Sequence, residues 1–131
     1  MRYNARMATI RDSLISFAAE QLGCSTDYPF VRYPEYLALR NPLNGKWCGL
    51  VMRVPQTCVG IPGDDEVDIV NVKLDPLMIA SLKTQPGYAP AWHMNKEHWI
   101  SVLLDGSVPL DQACALLEMS NAQVAPARRK R

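Results

Sequence analysis

Histidine is scarce in this sequence, with two residues, and so is phenylalanine, also with two. The four cysteines, Cys24, Cys48, Cys58 and Cys114, are dispersed, and no two of them form a C-x-x-C pair. In a cytoplasmic chain that pattern reads as free thiols, some acting as small core residues. No run approaches the roughly 18 apolar residues of a membrane span. Nor does an apolar signal-peptide core follow Met1-Arg2-Tyr3-Asn4-Ala5-Arg6. A cytoplasmic location away from any membrane is therefore expected.

Catalytic signatures are missing too. There is no G-x-S-x-G, no H-E-x-x-H and no G-x-G-x-x-G, and Gly45-Lys46 lacks the upstream glycine and following hydroxyl of a phosphate loop. A thiol–imidazole dyad could assemble across the fold, but no spacing favours one. His93 and His98 have neither a local cysteine nor a third histidine to complete a zinc site, and Glu97 alternates onto the face opposite His98. The acidic run Asp64-Asp65-Glu66-Val67-Asp68 lacks the alternation, central glycine and closing glutamate of a calcium loop. The expectation is a protein that is not an enzyme, with no metal and no cofactor.

What is present suits one globular domain over residues 1–131, with 48% apolar and 21% charged residues. Residues 1–8 are expected to form a mobile arm and residues 126–131 a basic tail. The net charge of +1 conceals an uneven distribution. Arg128, Arg129, Lys130 and Arg131 carry four positive charges, which leaves ten basic against thirteen acidic side chains, a net −3, on residues 1–127. A body of that sign binds phosphate backbones poorly, and the tail is where non-specific DNA affinity would reside.

Taken in order, Thr9 caps a first helix whose buried face carries Ile10, Leu14, Phe17, Ala18 and Leu22, ending at Gly23. Cys24 to Pro34 reads as a loop. Three alternating segments follow: Tyr36 to Arg40, Trp47 to Val54, and a third containing Val70, Val72 and Leu74. Asn41-Pro42-Leu43-Asn44-Gly45 is a turn cluster between the first two. Asp75-Pro76 opens a second helix that runs to about Gln85, and Pro86-Gly87 stops it. A hairpin with its tip at Asn95-Lys96 follows, and its two-residue turn sets Trp92 opposite Trp99 and His93 opposite His98. A third helix covers roughly Pro109 to Val124. The order α-β-β-β-α-β-β-α implies an α+β fold, with three helices on a mostly antiparallel sheet of about five strands. Leu37, Leu39, Leu50, Met52, Val70, Val72, Ile100, Val102 and Leu104 are expected on the helix-covered side.

The segment His93-Met94-Asn95-Lys96-Glu97-His98-Trp99, followed by Leu104-Asp105-Gly106-Ser107, resembles the signature of the MmcQ/YjbR family. Tyr28-Pro29-Phe30, Lys46-Trp47 and Asn71-Val72-Lys73-Leu74-Asp75-Pro76 agree with it, so the resemblance spans roughly Ile10 to Val124. It implies a small bacterial α/β domain, proposed to bind DNA through a "double wing" of sheet and hairpins. In that reading the two hairpin tips, with Lys46 on one and Asn95 and Lys96 on the other, grip the duplex backbone. Two features depart from the family pattern: Asn121 stands where a tyrosine is usual, and the Arg-Arg-Lys-Arg ending is not part of the motif set.

Independently of the resemblance, the strand residues opposite the aliphatic side are Tyr36, Arg40, Trp47, Arg53, Asn71, Lys73, Trp99 and Ser101. Rings that stack on bases beside cations that hold phosphates make a nucleic-acid platform. The same rings could equally be a second layer of core beneath loops. Two functions follow. One is a DNA-binding module using Lys46, Arg53, Lys73, Asn95, Lys96 and the tail Arg128 to Arg131. The other is a protein-interaction or small-ligand domain using Tyr36, Trp47, Trp92, His93, His98 and Trp99, with no nucleic-acid role.

Overall fold

The structure is a computed structural model that describes residues 9–127. The expected arm at 1–8 and the charges Arg128, Arg129, Lys130 and Arg131 lie outside the described residues. Helix α1 (Ile10–Gln21) starts where the Thr9 hydroxyl accepts the Asp12 N–H at 3.0 Å. The chain then forms β1 (Ser25–Asp27), β2 (Leu37–Arg40), β3 (Trp47–Pro55) and β4 (Glu66–Lys73). Helix α2 (Pro76–Leu82) is capped by the Asp75 carboxylate and is followed by β5 (Tyr88–Pro90), β6 (Trp99–Leu103) and α3 (Leu110–Val124). The fold is α+β, with three helices on a six-stranded antiparallel sheet of order β1-β2-β3-β4-β6-β5.

The order is the expected one with β1 added. Ser25-Thr26-Asp27 has no apolar alternation to announce a strand. It pairs with β2 through its backbone and through Asp27, which takes the Arg40 guanidinium at 2.6 Å.

One side of the sheet is closed by helices. Leu14 and Ala18 of α1, Ile79 and Leu82 of α2, and Ala113, Leu116 and Leu117 of α3 pack on Leu37, Leu39, Val51, Val70, Val72, Ile100 and Val102. Burying side chains of this kind contributes about 1.5–3 kcal/mol each before entropy is counted. Leu50 and Met52 are buried as well, but on the opposite side from the one expected. The reason is a β-bulge. Leu39 faces Gly49 while Arg40 faces Trp47, so Cys48 is an extra residue on β3. Cys48 packs with the helix-side core, and the missing side chain of Gly49 would point at Leu39 and Leu117 on that same side. Past the bulge the alternation is inverted, so Val51 takes the helix side and Leu50, Met52 and Val54 the other.

Ser120 ties α3 into the sheet where β3 and β4 part. Its hydroxyl donates to the Cys48 carbonyl at 2.6 Å and accepts the Lys73 N–H at 2.8 Å. Those are the two groups that a further rung of the ladder would have joined. Asn121 accepts the Asn41 amide at 2.9 Å and so binds the β2–β3 turn to α3. The four cysteines carry no disulfide; Cys24 and Cys48 are buried with their sulfurs 3.5 Å apart.

Candidate functional site

The side of the sheet away from the helices is covered by the connections around it rather than left open; Cys58, Val59 and Ile61, just after β3, pack against one part of it. Residues 28–36 fold over from the β1–β2 connection and residues 91–98 from the β5–β6 connection, so Phe30, Tyr36, Trp47, Trp92 and Met94 pack half-buried on Ala38, Leu50, Met52 and Ile69. Tyr33 stacks on Tyr36, with ring centroids 4.7 Å apart and planes at 11°. Phe30 meets Tyr36 and Trp47 edge-on, at 6.1 and 5.6 Å. The Arg40 guanidinium lies 5.9 Å from the Trp47 ring centre. Burial pushes the Tyr36 phenol above its ordinary value, with the Trp92 indole opposing.

A cavity of about 260 Å³ remains between the two loops. Phe30, Tyr33, Tyr36 and Trp47 wall it on one side and His93 and Met94 on the other, over a floor of Leu50 and Met52. His93 is the non-glycine residue with a left-handed backbone among the described residues, at φ 65°. An L-residue pays roughly 1–2 kcal/mol for that conformation, so something must hold it. The preceding residue is clamped. The Trp92 carbonyl accepts the buried Asn71 amide at 2.9 Å, and its N–H donates to the Ser101 hydroxyl at 3.1 Å. Ser101 in turn donates to Asn71, and both are fully buried. His93 is thereby set at the rim of the cavity, 4.3 Å from the Trp92 ring and 6.2 Å from Tyr33.

The expected hairpin register does not occur. β5 ends at Pro90, with Tyr88 opposite Val102 and Pro90 opposite Ile100, so Trp92 does not face Trp99 and His93 does not face His98. The connection is eight residues long, not two. Asn95 is not a hairpin-turn residue: its side chain accepts the Glu97 and His98 N–H groups, and its carbonyl accepts that of Trp99. An asparagine that bonds its own backbone two residues on builds such a turn without a tight hairpin. His98 is exposed beside Glu97, and Trp99 is half-buried opposite Lys73.

The expected phosphate-binding residues scatter differently. Lys46 and Lys96 are exposed, and Lys73 is half-buried at the end of β4. Arg53 is not on the aromatic side. The bulge carries it to the helix side, where it pairs with Glu66 at 3.3 Å and Asp68 at 3.2 Å. The β2–β3 turn is pinned, with Asn44 donating to the Val124 carbonyl at 2.8 Å. Among the described residues no three His, Cys, Asp or Glu side chains converge as a metal site requires. No described helix is long and apolar enough to cross a membrane.

Sequence reasoning singled out Tyr36, Trp47, Trp92 and His93, and the structure brings these four together. It missed Phe30, Tyr33, Leu50, Met52 and Met94. The available signal was the aromatic density between Pro29 and Pro34, in a loop too long to be left unpacked.

A family model described as YjbR matches residues 20–121. An uncharacterised protein of Bacillus subtilis (strain 168), YyaQ, is 38% identical over 110 residues, covering 84% of this chain and 93% of that protein. The crystal structure of a Pseudomonas syringae protein superposes with a TM-score of 0.84 at 37% identity, over 88% of this chain and 98% of that one. Deinococcus radiodurans protein DR2400, described with a DUF419 domain, gives a TM-score of 0.65 at 27% identity, over 90% of this chain and 79% of that one.

Proposed function

The chain belongs to the YjbR family, and from that premise we propose that it is a non-enzymatic module that binds the phosphate backbone of duplex DNA in the cytoplasm. The observation that carries this reading is the distribution of charge along the strands. The β2–β3 turn, the end of β4 and the β5–β6 connection all leave the sheet at one end. That end carries Arg40, Lys46, Lys73 and Lys96 against Glu20, Asp27, Asp75 and Glu97, and is balanced. At the opposite end Arg11, Arg32, Arg53 and Lys83 face eight acids, among them Asp64, Asp65, Glu66 and Asp68, and the remaining acid, Glu118, lies between the two ends near the middle of α3. The net negative charge of the body therefore collects away from the two connections. Helix α3 ends beside the β2–β3 turn, and the sequence then continues into Arg128, Arg129, Lys130 and Arg131. The two connections leave the sheet three strand spacings apart, about 14 Å, so they can touch separate phosphates.

Fluorescence anisotropy on a labelled duplex across a salt series tests this. Three lysines and four tail cations make at most seven phosphate contacts, a log–log slope of about −6. The 1–127 form keeps about −2.7, and Lys46→Ala and Lys96→Ala each remove about 0.9. No salt-dependent binding at low ionic strength, or slopes indifferent to both lysines, would refute the proposal.

A further inference from the structure

We propose that the cavity between residues 28–36 and 91–98 is a binding site for a neutral, planar heteroaromatic ring. Its volume of about 260 Å³ equals about nine water molecules at roughly 30 Å³ each. That admits one ring system and falls short of the usual drug-sized pocket. The lining contains no carboxylate, ammonium or guanidinium, so nothing there offsets the charge of an ionic occupant. Its walls are rings fixed at steep angles to one another: Phe30 stands at 83° to Tyr36 and 68° to Trp47. An inserted ring can stack on one wall while meeting another edge-on, which a saturated molecule of the same size cannot do.

The second observation is His93. Residues in sparsely populated backbone regions persist where the surroundings over-determine them, and they concentrate at ligand sites. Here the surroundings are Asn71 and Ser101, two fully buried polar side chains that hold both backbone polar groups of Trp92. The outcome is an exposed imidazole at the mouth of an otherwise apolar cavity, placed to meet a ring heteroatom. Such a ring can be free in solution or can be an unstacked base of a single strand; the chemistry recognised is the same.

The test uses tryptophan fluorescence and ¹H–¹⁵N spectra of the full chain titrated with adenosine, with cyclohexanol as the saturated control. Adenosine should bind saturably and shift the resonances of Phe30, Tyr36, Trp47 and His93, while cyclohexanol leaves them in place. His93→Gly relieves the backbone and removes the imidazole. It should weaken adenosine binding roughly 2- to 13-fold, the span of one lost hydrogen bond, without lowering the melting temperature. Tyr33→Ala, at an exposed position, should weaken it roughly 5- to 150-fold, the span of one lost stacking partner. Pocket shifts produced by a single-stranded oligonucleotide but not by its abasic counterpart would identify the ring as a base in a strand. Shifts with free adenosine alone would identify a small metabolite. No saturation at millimolar adenosine, shifts outside the cavity, or equal shifts with cyclohexanol would overturn the proposal. Lys46→Ala should leave adenosine binding untouched, so failure here and failure of duplex binding are separable.

Discussion

Asn71 and Ser101 face each other across the β4–β6 ladder, both fully buried, and the serine hydroxyl donates to the asparagine carbonyl oxygen at 2.5 Å. The pair leaves the asparagine amide free for the Trp92 carbonyl and the serine oxygen free for the Trp92 N–H. Replacing either residue by alanine strands buried partners, at about 1–3 kcal/mol each. Because both act on one residue, the double variant should lose clearly less than the sum of the two single losses. Urea unfolding of the four proteins measures it, and strict additivity would show that the two side chains do not act as a unit.

A methyl group at Gly49 fits only if its neighbours give way. A Cβ there would lie 3.0 Å from one Leu117 methyl and 3.1 Å from one of Leu39, and both leucines are fully buried. Gly49→Ala should cost about 1–3 kcal/mol by overpacking. Adding Leu39→Val should recover part of that loss. Unchanged stability in the single variant would mean that the leucines move aside freely.

The Asp27 carboxyl is held below its ordinary range, first by its hydrogen bond from Arg40. A lowered folded-state value means that the pair's contribution is present above the unfolded carboxylate value of about 3.9 and fades as pH falls through the lowered one. Amide exchange in β1 should therefore quicken, relative to its intrinsic rate, as the solution is acidified through that window. In Asp27→Asn the β1 amides should exchange fast at every pH. A pH-independent protection factor in the parent protein would refute this.

The strands that sequence made legible are those whose partners are regular. In β4 and β6, Val70, Val72, Ile100 and Val102 alternate without interruption, and each sits on the expected side. In β3 the alternation is equally clear, yet its sides are inverted, because nothing in Trp47-Cys48-Gly49 announces an extra residue. A strand as short as Ser25–Asp27 has no period to detect. Residues 91–98 misled for a different reason: Asn95 suits a hairpin tip and an asparagine turn alike, and only the Asn71–Ser101 clamp decides between them. Half of the cavity was visible as outward-facing strand aromatics. The other half comes from a loop whose rings have no periodicity at all.

Ser120 gives the C-terminal helix a part in closing the sheet, and this bears on how the chain matures as it is made. Until residues 110–124 are made, the residues of all six strands are present, but the Cys48 carbonyl and the Lys73 N–H have no hydroxyl to lie between them. At that stage Val51, Val70 and Val72 also lack their cover from Leu116 and Leu117. The nascent sheet thus presents a wet, sticky face until the last fifteen-residue helix arrives. A fragment that ends before α3 is therefore expected to expose that apolar face.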